Sequence, residues 1–218
     1  MSAAIILAGG HSTRMGQDKR RLRFWGPQGP TLLAHTVALA ASVCDDEIIV
    51  VLNDPQAWPD LPAHLVPDAY PGAGPLGGLA SGLMALTADR ALLLACDMPL
   101  LQPNLLRAML AAPLDGDALV PRRLVPQDGS QQGHDLEPLL AVYRHTCLPI
   151  ITECLAQDER RMGAALRHLT VRYLDPAWWM HYDADGRSFL NLNRPDDLAC
   201  AAHVLDIVQP ETREKRVI

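Results

Sequence analysis

The chain has 218 residues, 49% hydrophobic and 20% charged, with a net charge of -6, so it can bury a sizeable core and is neither disordered nor basic enough to favour a nucleic-acid partner. Its cysteines, Cys44, Cys96, Cys147, Cys154 and Cys200, are odd in number and have no C-x-x-C pair, which argues against a disulfide framework or a zinc site and fits a reducing cytoplasm. The apolar opening is too short for a membrane span and lacks the basic start and cleavage pattern of a secretory signal, so no membrane partner is expected.

In chain order, continuous apolar runs at 3–8, 47–52, 91–95 and 118–120 predict strands covered on both faces. Residues 31–43 place Leu32, Leu33, Thr36, Leu39 and Ala40 on one helical side, and Leu76, Leu79, Leu83 and Leu86 form a second helical stripe. Strand followed by helix, repeated, implies parallel pairing and right-handed crossovers, with ligands bound at the carboxyl ends of the strands. The expected fold class is therefore α/β, a single three-layer α/β/α Rossmann-like domain with a mostly parallel sheet spanning residues 1–208. The second half is less regular. Residues 122–136 read as a mobile loop near the site or as a plain surface loop, followed by a strand at 138–143 and a helix at 146–157. Short strands are expected at 171–174 and 188–192, then a helix at 195–208 with Pro195 at its start and a charged tail at 209–218.

The richest chemistry lies after the first strand, in Leu7-Ala8-Gly9-Gly10-His11-Ser12-Thr13-Arg14-Met15-Gly16. The glycines do not spell G-x-G-x-x-G, and no Lys-Ser/Thr pair follows Gly16, so this is neither a dinucleotide fingerprint nor a P-loop. Small residues at Ala8, Gly9 and Gly10 let a base or phosphate approach main-chain N–H groups, and Ser12 and Thr13 add hydroxyl donors. Arg14 and Lys19 put two cations near the strand end, where they could neutralise a triphosphate and the charge developing at a transferring phosphorus. Asn53 and Asp68 end apolar runs and fall on the same edge, as groups that could read a base or ribose or simply form Asx turns. The segment 71–82 holds five glycines. Gly77 and Gly78 fall in the first turn of a helix, either admitting a flat ligand or allowing close packing. Asp97 follows the strand 91–95 and suits Mg²⁺, which needs only one or two carboxylates beside phosphate oxygens and water; capping of the helix that begins near Pro103 is the alternative. Asn191 and Asn193 alternate on the expected last strand and so share a face, unless they belong to a network around Pro195. His11 sits inside the loop and could make binding sensitive to pH. No H-x-x-x-H or H-E-x-x-H spacing occurs, and Trp178 and Trp179 read as packing residues.

The run L-A-G-G-x-S-x-R-M-G-x-D-K resembles the signature of the molybdenum cofactor guanylyltransferase family of nucleotidyltransferases. The likeness continues through 71–79, Cys96-Asp97-Met98-Pro99 and 189–198, in the family's order. The resemblance implies the nucleotide-diphospho-sugar transferase type of fold and transfer of GMP from GTP to molybdopterin cofactor, with release of pyrophosphate. It implies Arg14, Lys19 and Asp97 as catalytic residues and Asp97 as the Mg²⁺ ligand. Leu7, Ala8, Gly9, Gly10, Ser12, Lys19, Asn53, Asp68, Gly77 and Asp97 would contact the nucleotide. Asn191, Asn193 and Glu137 would face the acceptor, and transient partners would serve cofactor delivery. Family patterns commonly carry Ala where Gly77 stands. A CTP-dependent cytidylyltransferase, another small nucleotidyltransferase and a non-catalytic nucleotide-binding protein remain alternatives, with Gly9 favouring guanine.

Overall fold

A computed structural model of the chain describes residues 2–9, 18–123, 136–193, 197, 198 and 201. Seven strands, β1 (Ala3–Leu7), β2 (Glu47–Leu52), β3 (His64–Pro67), β4 (Arg90–Ala95), β5 (Ala118–Pro121), β6 (Leu140–Arg144) and β7 (Val171–Leu174), form one sheet in the order β3-β2-β1-β4-β6-β5-β7. β1 pairs in parallel with β2 and β4, β2 with β3, and β5 with β7, while β6 runs antiparallel to both β4 and β5. The expected mostly parallel sheet is present. The inverted strand follows from the return out of β5: it pairs directly with the strand that precedes it, so no crossover to the far end of the sheet is required.

The alternation of side chains along β1 builds the layers. Ala4 and Ile6 face one apolar cluster with Leu33 and Val37 of α1 (Leu32–Ala41) and Leu105 and Met109 of α3 (Pro103–Ala111). Ala3 and Ile5 face the other, with Leu76, Leu79 and Leu83 of α2 (Gly74–Ala85) and Ile151 of α4 (Leu148–Ala156). Helices thus cover both faces, which is why the strand sequences are apolar throughout rather than alternating. α1 begins where Thr31 Oγ1 accepts from the Ala34 N–H at 3.2 Å. Before α2 the chain turns through Gly72 and Gly74 at φ of +81° and +67°, values that favour glycine.

Gly82 lies where α2 crosses β1. A Cβ there would stand 2.4 Å from Ile5 Cγ2, inside a fully buried cluster. Overpacking of about 1–3 kcal/mol equals or exceeds the roughly 1 kcal/mol that alanine contributes to helix propensity. Gly82→Ala should therefore lower stability by up to about 2 kcal/mol in chemical denaturation, and a raised midpoint would contradict this packing.

Two elements differ from expectation. The run ending at Pro67 is a true edge strand, β3, paired with β2. Residues 188–192 are not a strand: Arg187–Phe189 form a 3₁₀ turn entered through Gly186 at φ +64°. The buried Asp183 carboxylate accepts from the N–H groups of Arg187 and Ser188 at 3.0 and 2.8 Å, and the Ser188 hydroxyl accepts from Gln102 N–H at 2.9 Å. Those bonds satisfy backbone groups that a ladder would otherwise need. Trp179 is a packing residue, buried, with its indole N–H donating to Arg122 O at 2.8 Å. Residues 124–135 of the expected loop, most of 195–208 and all of 209–218 lie outside the described residues. Among the described helices none is long and apolar enough to cross a membrane.

Candidate active site

At the carboxyl edge of β3, β2, β1 and β4 the sheet opens into a cavity of about 800 Å³, within the usual range for sites that enclose a small organic ligand. Its location follows from topology, because parallel strands bring their following loops to one edge. Leu7, Ala8 and Gly9 leave β1 and form one wall. Ala8 N–H still bonds to Val51 O at 2.9 Å, which carries the strand geometry to the loop's first residue. Beyond it the Gly9 carbonyl accepts from Asn53 Nδ2 at 2.9 Å. Asn53, just past β2, is therefore fixed to the loop from the neighbouring strand end.

Asp68, just past β3, lines the same cavity. Its Oδ1 accepts from Tyr70 N–H at 2.9 Å and from the buried Ser81 hydroxyl at 3.0 Å. The Asx turn is present, and it orients the carboxylate rather than removing it from the site. Gly72, Gly74, Pro75 and Gly78 form the border at the start of α2. Gly77 does not line the cavity. A Cβ on it would meet Tyr70 Cβ and Tyr70 O at 2.9 Å, so that glycine lets the turn before α2 approach the helix closely.

Cys96 and Asp97 follow β4 on the opposite side. Asp97 does not cap α3: its Oδ2 accepts from Lys19 Nζ at 2.9 Å, with side-chain exposures of 20% and 17%. The same ammonium donates to Leu192 O at 2.9 Å and to Asn193 Oδ1 at 3.1 Å. Leu192 N–H in turn donates to Asp97 O at 2.9 Å. Three segments remote in sequence thus meet at one cation. Burial, helped by the adjacent Asp97 charge, pushes the Cys96 thiol up to about 12, so it is protonated at neutral pH and unsuited to act as a nucleophile.

The cavity brings together Leu7, Ala8, Gly9, Lys19, Asn53, Asp68 and Asp97 of the expected site residues. Asn193 joins through Lys19 and lies in irregular chain, as does the partly buried Asn191, so the shared strand face expected of this pair does not exist. Glu137 is buried beside Arg123, with an N–O distance of 3.6 Å, and does not line the cavity. Gly10, Ser12 and Arg14, with His11, lie outside the described residues. Sequence reasoning passed over Arg20, which lines the cavity and pairs with Asp18 and Asp54. Its signal was in plain view, a second cation directly after the Asp18-Lys19 pair.

Among the described residues no group of three or more His, Cys, Asp or Glu side chains is placed to hold a metal. A hard cation delivered with a nucleotide needs less. The single carboxylate of Asp97, at the cavity edge and partly exposed, fits Mg²⁺ that takes its other ligands from phosphate and water.

The model of the MobA-like NTP transferase domain matches residues 4–172. A protein of Chloroflexus aggregans named "Probable molybdenum cofactor guanylyltransferase" is 50% identical over 198 residues, covering 91% of this chain and 92% of that protein. The molybdenum cofactor guanylyltransferase of Syntrophotalea carbinolica is 33% identical over 195 residues, covering 89% of this chain and 88% of its own length. Among solved structures, a molybdopterin-guanine dinucleotide biosynthesis protein A from Archaeoglobus fulgidus superposes with a TM-score of 0.77 at 24% identity, over 94% of this chain and 99% of that one, a likeness of fold.

Proposed function

The chain belongs to the MobA-like NTP transferase family, and from that premise we propose that it transfers GMP from GTP to molybdopterin cofactor, forming the guanine dinucleotide and pyrophosphate. The observation that carries the reading is the meeting of Lys19 and Asp97 at one end of a cavity whose other end presents Asn53 and Asp68. A carboxylate such as Asp68 accepts from ribose hydroxyls or guanine N–H groups and repels phosphate, so the nucleoside lies against Leu7, Ala8 and Gly9 with the triphosphate toward Lys19. Gly77 belongs to the nucleotide site through the shape of the turn before α2. Gly10, Ser12 and Arg14 belong to the same loop by the family resemblance.

An oxygen of the acceptor's phosphate attacks the α-phosphorus in line. The new P–O bond forms as the α–β anhydride bond breaks, and pyrophosphate carries away the electron pair. No covalent enzyme intermediate is required, in keeping with the protonated Cys96. Lys19 stabilises negative charge that grows on the transferring and leaving groups, and Asp97 would hold Mg²⁺. When bound, that ion neutralises phosphate oxygens and templates the displacement. Lys19 also bonds Leu192 O and Asn193 Oδ1, which supports Asn193 as an amide beside the acceptor's path. Asn191 precedes it on the same segment, and Glu137, which does not line the cavity, is a weaker acceptor candidate.

A matched assay with GTP or CTP, magnesium and molybdopterin cofactor, with products resolved by mass, tests the reading. The expected products are the guanine dinucleotide and one pyrophosphate per turnover, with CTP at least tenfold poorer, a gap of about 1.4 kcal/mol in transition-state binding. Preferential formation of the cytosine dinucleotide would assign the chain to the cytidylyl branch. Nucleotide binding without turnover would make it a non-catalytic relative.

A further inference from the structure

We propose that Arg20 is the positioning residue of the nucleoside end of the cavity, a clamp that fixes the Ala8–Gly9 peptide from the side of β2. The inference rests on the functional reading above and adds to it a residue that the family signature did not single out.

Arg20 lines the cavity, yet its guanidinium is fully engaged within the protein. Nε donates to Asp18 Oδ1 and Nη2 to Asp18 Oδ2, both at 2.8 Å, forming a bidentate pair. Nη2 also donates to Asp54 Oδ2 at 2.9 Å, and Nη1 donates to Asp54 Oδ1. The remaining Nη1–H reaches Ala8 O at 3.3 Å. A guanidinium has five N–H donors, and each therefore has an acceptor. Two carboxylates neutralise the charge, and the hydrogen bond to Asp18, then that to Asp54, raises the group's pKa despite partial burial. Such an arginine has neither a spare donor nor spare charge for a phosphate. What it delivers to the cavity is orientation.

The Ala8 carbonyl is the first acceptor beyond β1, and the next one, Gly9 O, is held by Asn53. Both bonds come from the β2 side. Because the peptide is planar and trans, fixing Ala8 O also fixes the direction of Gly9 N–H, the group that a glycine-lined wall offers to a ligand. The clamp has its own support. Arg20 lies 5.6 Å from the centroid of the Trp58 ring, which Arg21 covers at 4.4 Å. Asp18 caps the short helix Lys19–Arg21 by accepting from Arg20 N–H at 3.0 Å, so the segment carrying Lys19 and the clamp are one rigid piece. Lysine could not replace this arrangement, because one ammonium cannot span two carboxylates and a carbonyl in the guanidinium plane.

The test compares wild type with Arg20→Ala, Arg20→Lys and Asp54→Asn. Calorimetric titration with guanosine and with magnesium GTP is combined with kcat and KM for GTP and with thermal melts. Arg20→Ala should weaken guanosine and GTP by the same factor of about tenfold, equivalent to 1.4 kcal/mol, with kcat at saturating GTP within about threefold of wild type. Arg20→Lys should not restore affinity, and Asp54→Asn should move both affinities in the same direction by less. Weakened GTP with unchanged guanosine would make Arg20 a phosphate ligand and overturn the proposal. A lowered melting temperature with unchanged affinity in the folded fraction would make its role merely structural and overturn it too. If wild type binds both ligands and Arg20→Ala matches it, the proposal alone fails. If wild type binds neither, the functional reading fails and takes the proposal with it.

Discussion

Asp97→Asn is expected to slow dinucleotide formation by about a thousandfold or more while leaving the fold intact. The substitution keeps the shape of the side chain and one acceptor oxygen, so the 2.9 Å contact from Lys19 can persist as a hydrogen bond between a cation and a neutral amide. What it removes is the formal charge that, on the proposed reading, would draw a magnesium–nucleotide complex to this end of the cavity. Metal stabilisation of the transition state is worth several kcal/mol, and each 1.36 kcal/mol is a factor of ten in rate. The structural cost is small, because Lys19 and Asp97 are each 17–20% exposed and water screens the pair. Single-turnover measurement of pyrophosphate release, beside a thermal melt, separates the two effects. Turnover within tenfold of wild type would remove Asp97 from the metal site.

Lys19→Ala is expected to reduce kcat by about 100–1000-fold, the usual effect of deleting one preorganised donor aimed at developing charge. Its ammonium also holds Leu192 O and Asn193 Oδ1, so the segment proposed to face the acceptor would lose its tie to Lys19. Lys19→Arg should recover little, because the planar fork of arginine cannot reproduce three bonds radiating from one point charge. The folded state should lose no more than about 1 kcal/mol, a shift of roughly 2–4 °C in melting temperature for a chain of this size. If KM for GTP rises while kcat is unchanged, Lys19 contributes to ground-state binding alone and its catalytic role falls.

Much of the cavity lining was legible because its determinants are local. Leu7-Ala8-Gly9 and Asp97 each follow an apolar run, and parallel topology alone puts such positions on one edge. Asn53 and Asp68 were found by the same rule, although the run ending at Pro67 had not been counted as a strand. Misreadings arose where a distant partner decided the backbone. Phe189, Leu190 and Leu192 look like strand material, yet the Asp183 carboxylate takes the N–H groups of Arg187 and Ser188 and winds that stretch into a turn. For Gly77 the sequence left open a flat ligand or close packing, and the approach of Tyr70 accounts for the glycine by packing.

The sequence by itself determined the class of fold and the chemistry of the loop after β1, since hydrophobic period and the order of small and charged residues are properties of short stretches of chain. The direction of β6 was decided only in three dimensions, because an apolar run carries no arrow and pairing sets its sense. So were the contacts of Lys19 with Asp97, Leu192 and Asn193 and, among the described residues, the five on Arg20. Hydrogen bonds saturate: a cation has a fixed number of donors, and which acceptors fill them depends on residues up to 174 positions apart that meet only when the sheet has formed.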